Sequence, residues 1–273
     1  MMEASGTLDG APYAVEWSDF AAAQPLLEAV SAGAADLGGA GDAPFLFAWR
    51  GGARIRSVQA TRYGPRNAGN AILVRRDAPF RTVADLSGRR VATGRGSVGH
   101  FLLLRALAGA GLPADAVEIA FMTPGDAKAA FDAGAVDAWS TWNPYVGAAL
   151  LRGGARALVD GRGLMTGYAF LVGNTDAITA KHAAVADFAR RHAAAQAWAT
   201  ANPDAFGRVL AKETGLPDDI ARYTADRAFY PVPTDATVIA AMQTVIATFD
   251  PRGADAGPPL PQAFDRSFDV HAA

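Results

Sequence analysis

Cysteine is absent from the 273 residues, and with it go disulfides, thiolate metal sites and cysteine nucleophiles. Histidine is scarce. The four present, His100, His182, His192 and His271, show no i, i+4 pair of the kind that holds a metal on a helix. His182 and His192 are predicted to be solvated on a surface helix. Basic charge is not in excess: 25 Lys and Arg stand against 27 Asp and Glu, a formal net charge of −2. That excludes the electrostatic footprint of a nucleic-acid binder and gives no reason to sit on an anionic membrane. No run approaches the roughly 18–20 apolar residues of a spanning helix. The start, Met1-Met2-Glu3-Ala4-Ser5-Gly6, lacks the basic segment and apolar run of a secretory signal. On this reading the protein is cytoplasmic or its start lies further upstream.

Apolar material is plentiful. Hydrophobic residues make up 51% and charged residues 19%, enough for one large domain or two lobes of about 100–150 residues each. Short β-branched runs alternate with Ala/Leu-rich stretches, which predicts an α/β fold. Strands are predicted at Tyr13–Trp17, Ala35–Gly39, Ile55–Ala60, Ala71–Val74, Arg90–Thr93, Val117–Phe121 and Val136–Trp139. Helices are predicted at Pro25–Ala32, Phe45–Arg50, His100–Ala110 and Ala127–Ala133. From about Thr179 to Thr248 the pattern is mostly helical, with breaks at Asn202-Pro203, Gly215-Leu216-Pro217 and Tyr230–Pro233.

An A-G-A-x-D pattern occurs twice, at Ala32–Asp36 and Ala133–Asp137. Each copy follows an Ala-rich helix and leads through a short strand into a turn ending in Pro, Gly41-Asp42-Ala43-Pro44 or Thr141-Trp142-Asn143-Pro144. Two such units point to two similar lobes; chance similarity of Ala-rich helices ending in Gly is the alternative.

In parallel α/β sheets ligands sit beyond the carboxyl ends of strands, where helices begin. Three such places stand out. Asp42 is predicted to cap a helix at Ala43-Pro44, and Asn143-Pro144 repeats the arrangement. Between them Gly94-Arg95-Gly96-Ser97-Val98-Gly99 joins a strand to the helix at His100. Exposed amides at a helix start attract anions; Gly96 and Gly99 allow close approach and Ser97 adds a hydroxyl. A sulfonate, sulfate or phosphate suits this loop, although all three places also make sense as simple caps and turns. The loop also spells G-x-G-x-x-G, the dinucleotide fingerprint, but no acidic residue closes the next strand: Glu118 lies within it and Asp126 beyond the turn. Nor is it a Gly-x-Ser-x-Gly hydrolase elbow, since Arg95 stands two residues before Ser97. No catalytic constellation is visible. Trp139 is predicted to face the core, and Trp142, at the turn, to floor an organic ligand.

These residues resemble a known family. Val15-Glu16-Trp17-Ser18-Asp19-Phe20, Gly41-Asp42-Ala43-Pro44, Val83-Ala84-Asp85-Leu86, Gly94–Arg105, Gly125–Phe131, Val136–Trp142 and Ala263–Phe268 are similar, in order and spacing, to substrate-binding proteins of ABC importers for aliphatic sulfonates, related to those for taurine and nitrate. The resemblance implies an α/β, periplasmic-binding-protein type II-like fold. It has two lobes, residues 1–74 plus 168–273 and residues 75–167, with hinge strands near Ala71–Val74 and Tyr168–Val172. Family members carry a signal peptide, a first strand and a first helix ahead of about Ser5, so a first strand is expected to be missing here. By resemblance Gly41, Asp42 and Ala43 face the cleft from one lobe, and Ser97, Val98, Gly99, His100, Thr141, Trp142 and Asn143 from the other. Asn143 does not repel an anion and cannot pair with an amino group, which favours simple alkanesulfonates over taurine. The resemblance further implies a periplasmic, monomeric, non-enzymatic protein without cofactor, metal or nucleic acid, whose partners are an alkanesulfonate and a membrane permease. The alternatives are a thiamine-pyrimidine synthase on the same fold, which relies on cysteines this chain lacks, an NAD-dependent oxidoreductase, and a remnant that binds nothing.

Overall fold

The computed structural model describes residues 1–64, 69–250 and 257–269; His271 lies outside them. Two sheets organise the chain. The first runs in the order β1 (Leu37–Gly41), β8 (Tyr168–Asn174), β2 (Ile55–Tyr63), β9 (Phe229–Val232), with every neighbouring pair antiparallel. The second runs β5 (Glu118–Phe121), β4 (Arg90–Thr93), β6 (Ala138–Trp142), β3 (Asn70–Arg75), β7 (Ala155–Asp160). Here β4 is parallel to both neighbours and β3 antiparallel to both of its own.

Period-two alternation explains how β3 is sandwiched. Ile72 and Val74 pack with Leu102, Leu103 and Leu107 of α3 (Val98–Gly109), while Ala71 and Leu73 pack with Phe131 of α4 (Pro124–Asp132) and Trp139. Trp139 faces the core as alternation predicts. Under the first sheet lie α1 (Ala23–Ser31) and α2 (Asp42–Arg50). Phe45 of α2, Phe170 of β8 and Phe264 meet there with ring centroids 5.3, 5.9 and 5.6 Å apart. Each such fully buried phenyl contributes roughly 2–3 kcal/mol by removal from water. The C-terminal helices α6 (Thr175–Ala180), α7 (His182–Ala201), α8 (Pro203–Thr214), α9 (Asp218–Ala225) and α10 (Ala236–Phe249) break where the sequence places Asn202-Pro203 and Gly215-Leu216-Pro217.

The repeated A-G-A-x-D pattern is a repeat of geometry. Gly33 and Gly134 have φ of 77° and 74°, a left-handed turn that glycine adopts without a Cβ clash. Gly33 N–H reaches Val30 O and Ala34 N–H reaches Ala29 O; Gly134 and Ala135 reach Phe131 O and Ala130 O in the same way. One turn leads into β1 and the other into β6.

Several expectations differ from what is found. Tyr13–Trp17 is not a strand: an alternating stretch becomes one only beside a strand with free ladder groups. This stretch instead meets α7, where the Tyr13 hydroxyl donates to Asp187 at 2.9 Å and the Trp17 ring lies 6.4 Å from Phe188. The Tyr230–Pro233 break contains β9, paired with β2. Helix α5 (Tyr145–Leu151) follows the helix start expected at Asn143-Pro144, whereas β7 has no counterpart among the expected strands. His192 is not solvated. It lies between α7 and β2 with Nδ1 2.5 Å from Gln59 Oε1, and burial pushes its pKa down to about 4. His182 is exposed, its ring 4.5 Å from Phe268.

The chain passes between the sheets twice, between Tyr63 and Asn70 and again over residues 161–167, and enters β3 and β8 directly from these crossings. Tyr63 N–H bonds Gly167 O at 2.8 Å and Gly161 N–H bonds Asn70 O at 2.9 Å, so the end of β2 and the start of β3 are each tied to the segment 161–167. Because Asn70–Arg75 pairs with β6 and β7, it belongs to the second sheet. Residues 70–74, expected with the first lobe, thus hydrogen-bond within the second sheet.

Candidate functional site

A cleft of about 1330 Å³ lies between the two sheets. Of the ten residues singled out from sequence, Gly41, Asp42, Ser97, Val98, Trp142 and Asn143 line it; Ala43, Gly99, His100 and Thr141 stand behind its wall. Thr141, fully buried on β6, has an Oγ1 without a hydrogen-bond partner and does not reach the cleft.

The glycine loop is built for close approach. Gly96 has φ of 67°, and a Cβ placed there would sit 2.5 Å from Phe47 of α2, across the cleft. At Gly99 a Cβ would come within 2.4 Å of Ser140 O, so helix α3 presses directly on β6. Thr93 Oγ1 donates to that carbonyl at 2.9 Å and Ser140 Oγ donates to Gly99 O at 2.7 Å. Hydrogen bonds then decide which groups remain for a ligand. Ser97 N–H is taken by Gly94 O, Gly96 N–H by His100 Nδ1 at 3.2 Å, and His100 N–H by Ser97 Oγ at 3.1 Å. The Val98 and Gly99 amides, the first two of α3, have no acceptor within the helix. Ser97 Oγ accepts from the backbone and keeps its own proton to donate. The Ser97 hydroxyl and the Val98 amide therefore stand on the cleft side of the positive end of a twelve-residue helix, a place suited to an anion, with Gly99 behind the wall.

The other two helix starts depart from expectation. Asp42 is the first residue of α2, with Gly41 as its cap, so it does not cap the helix as predicted. Its Oδ1 accepts the Ala43 N–H at 2.7 Å and its Oδ2 is hydrogen-bonded by the Thr166 hydroxyl. Only 2% of it is exposed, and that burial pushes its pKa up to about 7 against the pull of the backbone N–H groups. The Asn143-Pro144 peptide is cis, Pro144 is the cap of α5, and Asn143 Oδ1 accepts Gly147 N–H at 3.3 Å. The two Pro-ended turns are therefore built differently.

Sequence reasoning missed most of the cleft's aromatic and cationic walls. Phe47, 43% exposed, and Phe121, Tyr63 and Tyr168 join Trp142 in lining it. Arg95 lays its guanidinium 3.8 Å over the Phe121 ring, and Arg227 lies 5.4 Å over Tyr63. Arg162 pairs with Asp160 at 2.5 Å. The parallel register sets Thr93 beside Phe121 and Arg90 beside Glu118. Phe121 therefore stands where a ribose-binding acid would be, and Glu118 lies at the far end, paired with Arg90. This disfavours a dinucleotide. Among the described residues no group of three His, Asp or Glu could hold a metal, and no helix is long and apolar enough to cross a membrane.

A two-sheet α/β chain with a ligand-sized cleft at its crossings is the architecture of the periplasmic binding proteins, and solved structures match it. The alkanesulfonate-binding protein SsuA from Xanthomonas axonopodis pv. citri, bound to MOPS, is 35% identical with a TM-score of 0.80, covering 92% of this chain and 87% of that one. The periplasmic aliphatic sulphonate binding protein SsuA from Escherichia coli is 35% identical with a TM-score of 0.77, covering 91% and 86%. Residues 19–206 match the family described as NMT1/THI5 like, and the chain belongs to that family. Over 150 residues it is 46% identical to a protein of Escherichia coli (strain K12) whose name describes aliphatic sulfonate binding, 55% of this chain and 46% of that protein. The matched stretch spans about half the length of the curated relatives.

Proposed function

We propose that this chain is the substrate-binding component of an ABC importer, capturing an aliphatic sulfonate in the periplasm, as a monomer, and delivering it to a membrane permease. The observation that carries the reading is the glycine loop: its free hydroxyl and amide open into the cleft beside aromatic walls. The sulfonate oxygens take the Ser97 hydroxyl and the Val98 amide, the two groups of the loop that line the cleft. The organic tail lies against Trp142 and Phe121, and Asn143 adds no charge to repel the anion. Residues up to 64 with those from 168 onward form one lobe and the intervening residues the other, and they close over the ligand about the two crossings. The relatives' names describe binding proteins, one of them bound to MOPS, a sulfonate, which supports a non-enzymatic role.

A thermal-shift panel of alkanesulfonates, taurine, nitrate, sulfate, phosphate and NAD tests this. A ligand present at about 100 times its Kd stabilises the protein by roughly 2.7 kcal/mol. Alkanesulfonates are expected to give the largest shift. A shift with NAD alone, or none with any sulfonate, would overturn the reading.

A further inference from the structure

A buried histidine ties the glycine loop to the opposite half of the molecule. We infer that His100 is a positioning residue for the anion and not a ligand: its imidazole, by accepting the Gly96 N–H, fixes the loop in the shape that presents Ser97 and Val98 to the cleft. The inference rests on the sulfonate reading for the identity of the anion.

Three observations carry it. His100 stands behind the cleft wall, 9% exposed, with Nδ1 3.2 Å from the Gly96 nitrogen. Its own backbone N–H goes to Ser97 Oγ at 3.1 Å, so one residue fastens the loop at two adjacent residues, Gly96 and Ser97. Its ring is wedged between Phe121, centroids 4.9 Å apart, and Phe249 at the end of α10, 5.2 Å away. Phe249 in turn packs on Phe47 at 5.5 Å, and Phe47 covers Gly96. The clamp is thus held from the second sheet's side by Phe121 and roofed from the first sheet's side by Phe249 and Phe47.

The chemistry follows from the bond. Gly96 N–H is buried, so without an acceptor it would carry the full penalty of an unpaired donor. The loop would then turn that amide outward, and the left-handed Gly96 would allow it to swing. An accepting Nδ1 requires a neutral imidazole with its proton on Nε2. Burial, with the Arg95 charge second, pushes the His100 pKa down to about 4, which keeps the ring neutral through the physiological range.

The test compares His100→Phe, which keeps a ring between Phe121 and Phe249 but has no acceptor, with His100→Asn, whose carboxamide oxygen can replace Nδ1. Hexanesulfonate is the probe, titrated calorimetrically. His100→Phe is expected to weaken binding about tenfold or more, and His100→Asn to stay within about threefold of the wild type. Wild-type affinity in His100→Phe, or equal loss in both folded variants, overturns the inference. A direct measurement needs no variant: in the unliganded wild type, NMR should show an unprotonated Nδ1 with a scalar coupling across the hydrogen bond to the Gly96 amide. A protonated Nδ1 overturns the clamp even if sulfonate binds. Absence of sulfonate binding with the coupling present removes the transport reading instead.

Discussion

Raising the pH through 7 takes a proton from a carboxyl group that folding has placed where its charge is poorly solvated. Asp42 stands at a helix start, where the dipole and the Ala43 N–H favour ionisation, yet burial outweighs both and pushes its pKa from 3.8 to about 7. The sign follows from proton counting. Between those two values the folded chain holds a proton that the unfolded chain has lost, so stability falls as pH rises, by about 1.4 kcal/mol per pH unit for this one group. The loss saturates above the folded pKa at a total on the order of 4 kcal/mol. Asp42→Asn keeps the shape and the Oδ1 acceptor, offers an amide to the Thr166 hydroxyl, and cannot ionise. Urea unfolding of both proteins at pH 5, 6, 7 and 8 isolates the effect. The variant is expected to gain on the wild type by about 3 kcal/mol between pH 5 and 8, levelling off at the top of that range. Parallel pH curves would refute the argument, because they would mean that Asp42 titrates alike in the folded and unfolded chains.

Two further outcomes follow from the glycine loop. Ser97→Ala removes both the proposed donor to the anion and the cap of α3. Calorimetry should show sulfonate binding weaker by about 1–3 kcal/mol, and unfolding should show a loss of about 1 kcal/mol. Gly96→Ala sets a methyl group against Phe47 in a backbone conformation that disfavours it. Stability should fall by roughly 1–3 kcal/mol, with part of that loss recovered in the double variant with Phe47→Ala, as a thermal melt of the three proteins would show.

Strands buried on both faces and helices ending in glycine were legible because their causes are local. Arg90–Thr93 and the turns at Gly33 and Gly134 are determined within a few residues by β-branching and by a missing Cβ. The loop at Gly94–Gly99 was legible for the same reason. What escaped was set by distant chain. Tyr13–Trp17 alternates like a strand, but pairing depends on a neighbour that its own residues do not encode. Asp42 looked like a cap, yet one of its two oxygens is taken by Thr166, which returns to it from 124 positions away. The resemblance sets His100 at the cleft, whereas its ring turns back to Gly96 and is held there by Phe249, 149 positions further on. Arg227 and Tyr63 meet over the cleft from opposite ends of the sequence, and no local pattern marks them.

Two of the contacts between the halves of the molecule depend on a missing side chain. Gly41 offers its bare Cα to Val98, which a Cβ there would approach to 2.8 Å, just as Gly96 offers its own to Phe47. These two points act as bearing surfaces for the mouth of the cleft. A single added carbon at Gly41 would press on Val98 between the sheets, and a graded series of residues there would set how closely the starts of α2 and α3 can approach.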